Sequence, residues 1–374
     1  MDHLERVASV RLHLTTGIGP RLFAALVERF GSAQAAVAAG PAEIREVRGI
    51  GPDSAAAIHA SVAAADPEAE LAAAEAAGVR VLVRGEPDYP VALGYLYDAP
   101  PILYVKGTLQ PEDAMAMAIV GMRKCSLYGQ DQAERLAGGL ARAGFTIVSG
   151  LARGIDSAAH KAALAAGGRT LAVLGNGLAT VYPPENQRLA EAVVEHGALL
   201  SEFPMSVGPT AENFPRRNRL IAGLALGVIV AEAGRQSGAL ITARLAAELG
   251  KEVFAVPNRV DAPGAAGVHG LLRDGAKLVE SVADVLDEFP DLGLAPKPGE
   301  DASAQATLGL KAALSAEEAR LMEVLDGEPL GLDAIATGTG LPPARVSGAL
   351  TLLELKGLVR AVPGGRFARR RQSS

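Results

Sequence analysis

Tryptophan is absent from the 374 residues, cysteine occurs once, and aromatic residues make up only 4% of the chain. The lone thiol, Cys125, excludes an intramolecular disulfide and any cysteine-based zinc centre. With so few rings, the core must be built from Ala, Val, Leu and Ile. Basic residues are not in excess either. The formal net charge is −6, so nothing global attracts a polyanion, and any nucleic-acid site must be a local patch of Lys and Arg. Long apolar runs are lacking as well: residues 220–230 are broken by Gly223 and Gly227 and fall short of the ~20 residues that span a bilayer. No charged, apolar, cleavable leader is visible, so no membrane span is expected and the expected location is the cytoplasm.

What the chain does have is apolar residues, at 49%, and 43 glycines without collagen period or low-complexity runs. Such a composition suits an α/β protein with many tight strand-to-helix turns, long enough for two or three domains. Residues 1–66 read as helical and contain a near-repeat. Gly17-Ile18-Gly19-Pro20 precedes Leu22, Phe23, Leu26 and Val27, and Gly49-Ile50-Gly51-Pro52 precedes Ala55, Ile58 and Val62. In each copy proline falls at a helix start, where its missing N–H is no loss. The pattern is that of a helix-hairpin-helix domain, whose free helix amides can hold a phosphate; a pair of corners that only pack is the plainer alternative. An Ala/Glu-rich helix over 63–77 is expected to bridge into the next domain.

Residues 67–289 alternate short β-branched runs with amphipathic stretches. Strands are expected at 81–83, 102–105, 116–120, 146–148, 170–174, 199–201, 228–231 and 252–256, and helices at 130–143, 157–166, 184–195 and 240–249. Alternation of this kind implies a Rossmann-like, doubly wound, mostly parallel sheet. Residues 290–312, rich in Pro, Gly, Asp and Ala, read as a linker. Over 313–374, three helix patterns at 316–325, 332–337 and 342–356 precede a hairpin pair at 358–362 and 365–368, which is the winged-helix pattern. Arg366, Arg369, Arg370 and Arg371 could grip a phosphate backbone beside the wing. The third helix, however, offers only Arg345 and Lys356, too few for strong duplex binding.

In a parallel sheet, ligands bind where strands end and helices begin. The strand-following loops carry Gly121, Met122, Arg123, Lys124 and Ser126; then Gly150, Arg153, Gly154 and Asp156; then Gly175-Asn176-Gly177 with Tyr182. Later loops carry Glu202-Phe203-Pro204, Asn213-Phe214-Pro215-Arg216-Arg217-Asn218-Arg219, Glu232 and Ser237. Glycines permit close backbone approach, helix starts present amides, and guanidiniums recur, so the loops describe an anion-binding rim. Dinucleotide, P-loop, nucleophile-elbow and zinc-helix signatures are missing. The six histidines are scattered, and His160 reads as a packing residue on its helix. No catalytic residue, metal ligand or cofactor is assigned. For the 213–219 stretch two readings stand side by side. One is a groove in which arginines follow phosphates and Phe214 stacks a base; the other is a solvated helix start with ordinary surface arginines.

Taken in order, these loops resemble the DprA (Smf) family, DNA-processing proteins of bacterial transformation. The resemblance runs from residue 89 to 276 through 119–123, Tyr128-Gly129, 149–156 with His160, Gly175-Asn176-Gly177, Val181-Tyr182-Pro183, Glu202-Phe203-Pro204, 213–223, 237–243, 253–257 and 271–276. It implies a non-enzymatic recombination mediator, a homodimer through its Rossmann-like domain. Such a protein binds and protects incoming single-stranded DNA and loads RecA recombinase onto it, with single-stranded-DNA-binding protein a candidate further partner. By motif position, the resemblance assigns DNA binding to Gly121, Arg123, Lys124, Arg153, Asn213, Phe214, Arg216, Arg217, Asn218, Arg219 and Ser237. Four positions depart from the family's habit: Met122 for Ser, Ala239 for Ser, Asn258 for Gly and His269 for Asn. Two rivals remain. One is a nucleotide-processing hydrolase using the glycine-rich rim and Glu232; the other is a duplex-binding regulator using the winged helix. Cys125 beside Lys124 is either a thiol of lowered pKa or a small loop residue.

Overall fold

Two apolar faces are written into the central strands. In Ala116–Gly121, Ala116, Ala118 and Val120 join one buried cluster while Met117 and Ile119 join another. A strand with period two and no polar face needs helices on both sides. The computed structural model describes residues 1–289 and, beyond them, 315–325, 328–343, 345, 346, 349, 350, 353, 358–362 and 366–369. It divides into two units, Met1–Ala295 and Pro296–Ser374.

In the first unit the strands are β1 Val79–Val83, β2 Ile102–Gly107, β3 Ala116–Gly121, β4 Thr146–Ser149, β5 Thr170–Val173, β6 Gly197–Ser201, β7 Gly227–Glu232, β8 Glu252–Ala255 and β9 Lys277–Leu278. They form one sheet in the order β1-β2-β6-β5-β4-β3-β7-β8-β9. Strand β2 is antiparallel to both β1 and β6, and the others are parallel. From β3 the order runs outward through β4, β5 and β6 on one side and through β7, β8 and β9 on the other. The switch point therefore lies between β3 and β7, the place where doubly wound sheets open a crevice. The two-residue β9 is too short to leave a period-two pattern in the sequence.

Helices α1 His3–Leu14, α2 Pro20–Phe30, α3 Ala33–Ala38, α4 Pro41–Ile44, α5 Pro52–Ala64 and α6 Pro67–Ala76 precede the sheet. Gly17 (φ +89°) and Gly49 (φ +91°) make the turns that lead to Pro20 and Pro52, each the first residue of its helix. The single helix expected over 63–77 is in fact two. Pro67 lacks the N–H to continue a helix, and Asp66 caps the new one by accepting from Ala69 N at 3.0 Å. Helix α1 packs two ways: Ala8 and Leu12 sit among the N-terminal helices, whereas Val10 joins the cluster on β1, β2 and β6.

Within the sheet region, α7 Val91–Gly94, α8 Leu127–Arg142, α9 Ile155–Ala165, α10 Gln187–His196, α11 Asn213–Leu224, α12 Ala239–Glu248, α13 Ala265–Arg273 and α14 Val282–Leu286 supply the covering layers. α7, α11, α12 and α13 cover one face; α8, α9 and α14 cover the other.

The second unit has α15 Ala316–Val324, β10 Leu330–Gly331, α16 Leu332–Thr339, β11 Val359–Val362 and β12 Arg366–Arg369, with strand order β10-β12-β11 around a core of Leu321, Leu325, Ile335, Leu350 and Leu353. This is a winged-helix arrangement with one strand, β10, beyond those expected. The linker at 290–312, much of the third helix at 342–356, the hairpin tip at 363–365, and Arg370 and Arg371 lie outside the described residues. Arg345 is paired with Glu317 at 3.0 Å.

His160 lies fully buried in α9. Thr170 Oγ1 donates to Ile147 O at 2.7 Å, so it receives the proton on His160 Nδ1, 2.7 Å away. His160 therefore packs as a neutral ring, and burial holds its pKa down to about 3. The unfolded chain takes up this proton below about pH 6.5 and the folded chain does not, so stability falls as pH drops through that window. Between about pH 6 and 4.5, urea unfolding free energies should fall about 1.4 kcal/mol per unit more steeply in the wild-type chain than in His160→Gln. Parallel profiles would contradict this account.

Candidate functional site

At the switch point, the loops after β3, β4 and β7 and the first turn of α11 enclose an open cleft of about 820 Å³. Its lining includes Gly121, Met122, Arg123, Asp156, Tyr182, Phe214, Arg217, Asn218 and Ser237.

The floor is built around Arg217, only 5% exposed. Its Nη1 donates to Gly150 O at 2.8 Å and to Val173 O, and its Nε donates to Asn218 Oδ1 at 3.1 Å. One guanidinium thus closes off carbonyls at the ends of β4 and β5. Asp156, in the first turn of α9, accepts from the amides of Gly150 (3.1 Å) and Ala152 (3.3 Å) and so holds the same loop from the other side. Burial pulls the Arg217 guanidinium down to about 10; Asp156 opposes that shift and Arg123 adds to it. Burial also pushes the Asp156 carboxyl up, against the pull of Arg217 and the amides. A Cβ on Gly150 would lie 2.3 Å from Arg217 Nη1, so any larger residue here has to displace the buried, hydrogen-bonded guanidinium.

Above the floor, the exposed Arg123 places Cζ 4.9 Å from the centroid of the Phe214 ring. Phe214 also tilts against Tyr182, with centroids 5.8 Å apart. A Cβ on Gly175 would come within 2.9 Å of Phe214 Cδ1, so the Gly-Asn-Gly turn is the seat of this ring. Asn218 reaches across to Gly238 O at 3.3 Å, tying α11 to the loop before α12. Ser237 lies on that loop. Gly121 lets α9 close on β3, since its Cβ would stand 2.5 Å from Ile155 Cγ1.

The expected arginine set divides. Arg123 and Arg217 converge in the cleft, but Arg216 and Arg219 turn to the other side of α11. Arg219, expected at the rim, is buried. Its Nε lies 3.2 Å from Asp98 Oδ2 and its Nη2 donates to Glu202. A rim position would leave both carboxylates without a cation. Arg216 is exposed and lies over the Phe203 ring at 5.2 Å. Arg153 is exposed but paired with Glu185, and Lys124 is exposed just outside the lining. Asn213 is buried at the start of α11, where its amide donates to Thr210 O at 3.2 Å.

Other expectations change too. The Cys125 thiol is pushed up by burial and by the nearby Glu232 carboxylate, which removes the reading of a lowered pKa. Glu232, 3% exposed, accepts from Ser126 N at 2.8 Å and Ser126 Oγ at 3.0 Å. Cβ atoms on Gly129 or Gly264 would each fall 2.0 Å from its carboxylate oxygens, so the group is walled in as a brace rather than presented to the cleft. Two of the family departures meet each other: His269 Nε2 donates to Asn258 O at 2.9 Å. A third departure, Met122, lines the cleft. Asp156 and Tyr182, which the sequence places on the rim loops without a DNA-binding assignment, both line the cleft. Nothing near Asp98 in the sequence signals its partnership with Arg219.

Family profiles match along the chain. DNA recombination-mediator protein A covers residues 80–290, a DprA winged helix domain covers 303–365, and a DprA-like N-terminal HHH domain covers 3–73. Protein Smf of Escherichia coli K12 is 44% identical over 285 residues, 76% of this chain and 75% of that protein. The X-ray structure of DNA processing protein A from Streptococcus pneumoniae superposes with a TM-score of 0.67 at 36% identity, covering 77% of this chain and 98% of that one. DNA processing protein A from Helicobacter pylori, whose structure addresses its single-stranded DNA binding mode, gives 0.52 at 30% identity over 57% of this chain and 96% of that one.

The Arg217 seat yields a stability prediction. Gly150→Ala should displace a buried guanidinium from its carbonyls and destabilise the chain by about 3 kcal/mol or more in urea unfolding. Gly238→Ala, whose Cβ would meet nothing within 4 Å, should stay within about 0.5 kcal/mol of wild type. Equal effects would refute the steric role of Gly150.

Proposed function

The chain belongs to the DNA recombination-mediator protein A (DprA) family, and from that premise we propose that it binds single-stranded DNA in the cleft between β3 and β7. The observation that carries this is the gathering of Arg123, Arg217 and the Phe214 ring in one open crevice, with Arg123 over the ring. An exposed guanidinium can take a phosphate by a charge-assisted bond, and the buried one supplies fixed positive charge behind it. A ring beside the exposed guanidinium can stack any base, which favours unpaired strands over duplex. The Helicobacter pylori relative, characterised for its single-stranded DNA binding mode, supports the same assignment. Asn218 and Ser237 complete the polar wall, while Lys124 and Arg153 stand farther out. Arg153 must release Glu185 before it meets a phosphate.

On this reading the protein is not an enzyme. It protects single strands and passes them to RecA, with single-stranded-DNA-binding protein as a further partner, and it acts as a homodimer in the cytoplasm. The hydrolase alternative gains nothing from Glu232, which faces Ser126.

The test is retention of fluorescent oligo-dT at two ionic strengths. Each phosphate engaged should steepen the fall of log K with log salt by about 0.7. Arg123→Glu should weaken binding more than about tenfold with an unchanged circular dichroism spectrum, because one charge-assisted contact becomes a repulsion. Undiminished retention by that variant, or turnover of a nucleoside monophosphate by the wild-type chain, would overturn the proposal.

A further inference from the structure

In a chain with so few rings, arginine–aromatic pairs are informative where they gather. Three lie in succession around α11: Arg123 over Phe214 (4.9 Å), Arg216 over Phe203 (5.2 Å) and Arg21 over Tyr97 (4.5 Å). The first belongs to the cleft. The second sits on the opposite side of the same helix turn. The third lies beyond it, because Asp98, next to Tyr97, is held by Arg219 of α11 at 3.2 Å.

The loop that carries Tyr97 is anchored rather than loose. Leu93 and Leu96 are buried, a Cβ on Gly223 of α11 would touch both, and Tyr89 donates its hydroxyl to Pro100 O at 2.8 Å. Between these anchors the chain turns two tyrosines outward, Tyr95 at 83% and Tyr97 at 80% exposure. Charge adds to this. Some exposed arginines of this unit are spent on carboxylates, as in Arg29–Glu46 and Arg80–Asp88. Arg21, Arg84 and Arg216, which surround the two tyrosines and α11, are not: none is in an ion pair among the described residues, and Arg84 instead donates to Gly94 O at 3.0 Å, beside Tyr95. The two acids along the way, Asp98 and Glu202, are both occupied by Arg219.

Exposed rings flanked by uncompensated guanidiniums form a stacking platform for a flexible polyanion. We propose that single-stranded DNA leaving the cleft passes over Arg216 onto a second platform formed by Tyr97 and Arg21, with Tyr95 and Arg84 at its edge. This inference rests on the cleft being the first DNA site. It makes the N-terminal helices, through Arg21 in the first turn of α2, part of the DNA path.

The two sites separate by probe length. An oligo-dT of about 6 nucleotides fills only the cleft, whereas one of about 20 reaches both platforms, given sites of roughly 4–16 nucleotides. With the full chain, Tyr97→Ala should weaken binding of the long probe about fivefold or more and leave the short probe within about twofold. Tyr97→Phe, which keeps the ring, should bind both like wild type. Arg123→Glu should lose both probes. If it loses neither, the cleft assignment itself fails; if it loses both while Tyr97→Ala affects neither, only the second platform fails. Equal weakening of both probes by Tyr97→Ala, or loss of the long probe by Tyr97→Phe, also overturns the platform. A shift in sedimentation of Tyr97→Ala toward a smaller species would assign these tyrosines to a protein contact instead.

Discussion

A guanidinium buried at the ends of two parallel strands is the constraint from which the rest of the site follows. Taking an arginine out of water costs several kcal/mol unless its donors are met and a counter-charge is near. Arg217 meets these conditions with the carbonyls of Gly150 and Val173, with Asn218, and with the field of Asp156. Each condition propagates. Position 150 must lack a Cβ. Asp156 must turn inward and bind the Gly150 and Ala152 amides, which leaves Leu151 at φ +56°, a left-handed conformation that side-chain-bearing residues rarely hold. Surrounding contacts over-determine it: Leu151 is fully buried, and its carbonyl accepts from Asn186 Nδ2 at 2.7 Å. Gly150 is thus a consequence of housing this cation, whereas Gly121 and Gly175 make room for Ile155 and Phe214.

Helix periodicity then divides the work of α11. Phe214, Arg217 and Ile221 recur at spacings of three and four and face the cleft, while Arg216, Arg219 and Gly223 face Phe203, Glu202 and the loop of Leu93 and Leu96. A run of adjacent arginines thus becomes two distinct chemistries. One side presents positive charge to a crevice; the other locks the helix to β6 and to the loop after α7. Arg219 contributes to positioning because it is paired, and Arg123 is available to a ligand because it is not.

This division explains how much was legible in the sequence. The eight strands expected in the sheet all occur, since β-branched runs between glycine-rich turns leave few other options. Strands β9 and β10, of two residues each, carry no period and were invisible. The break at Ala65–Asp66 was overlooked because alanine and glutamate continue on both sides, although Pro67 marks it. For the site, the loops and their convergence could be read from strand ends. Which arginine is buried could not, because burial depends on partners remote in sequence: Asp98 for Arg219, and the carbonyl of Val173 for Arg217. Identity and spacing report that a cation is present; tertiary pairing decides whether it is spent on the fold.

The same distinction reconciles an acidic chain with the proposed polyanion-binding role. A net charge of −6 describes the sum over all residues, but a phosphate within a Debye length of about 8–10 Å responds to the local, uncompensated charge. Near the sheet's loops, several carboxylates are held in pairs such as Arg153–Glu185, Arg169–Asp113 and Arg219–Glu202. What remains at the switch point is Arg123 beside a seated ring, with a buried cation beneath it. The proposed selectivity for single strands rests on that geometry rather than on total charge. A duplex hides the faces of its bases, so on the proposed reading the Phe214 ring, seated against the Gly175 turn, stacks a base only where the strand is unpaired and Arg123 has turned from the ring to a phosphate.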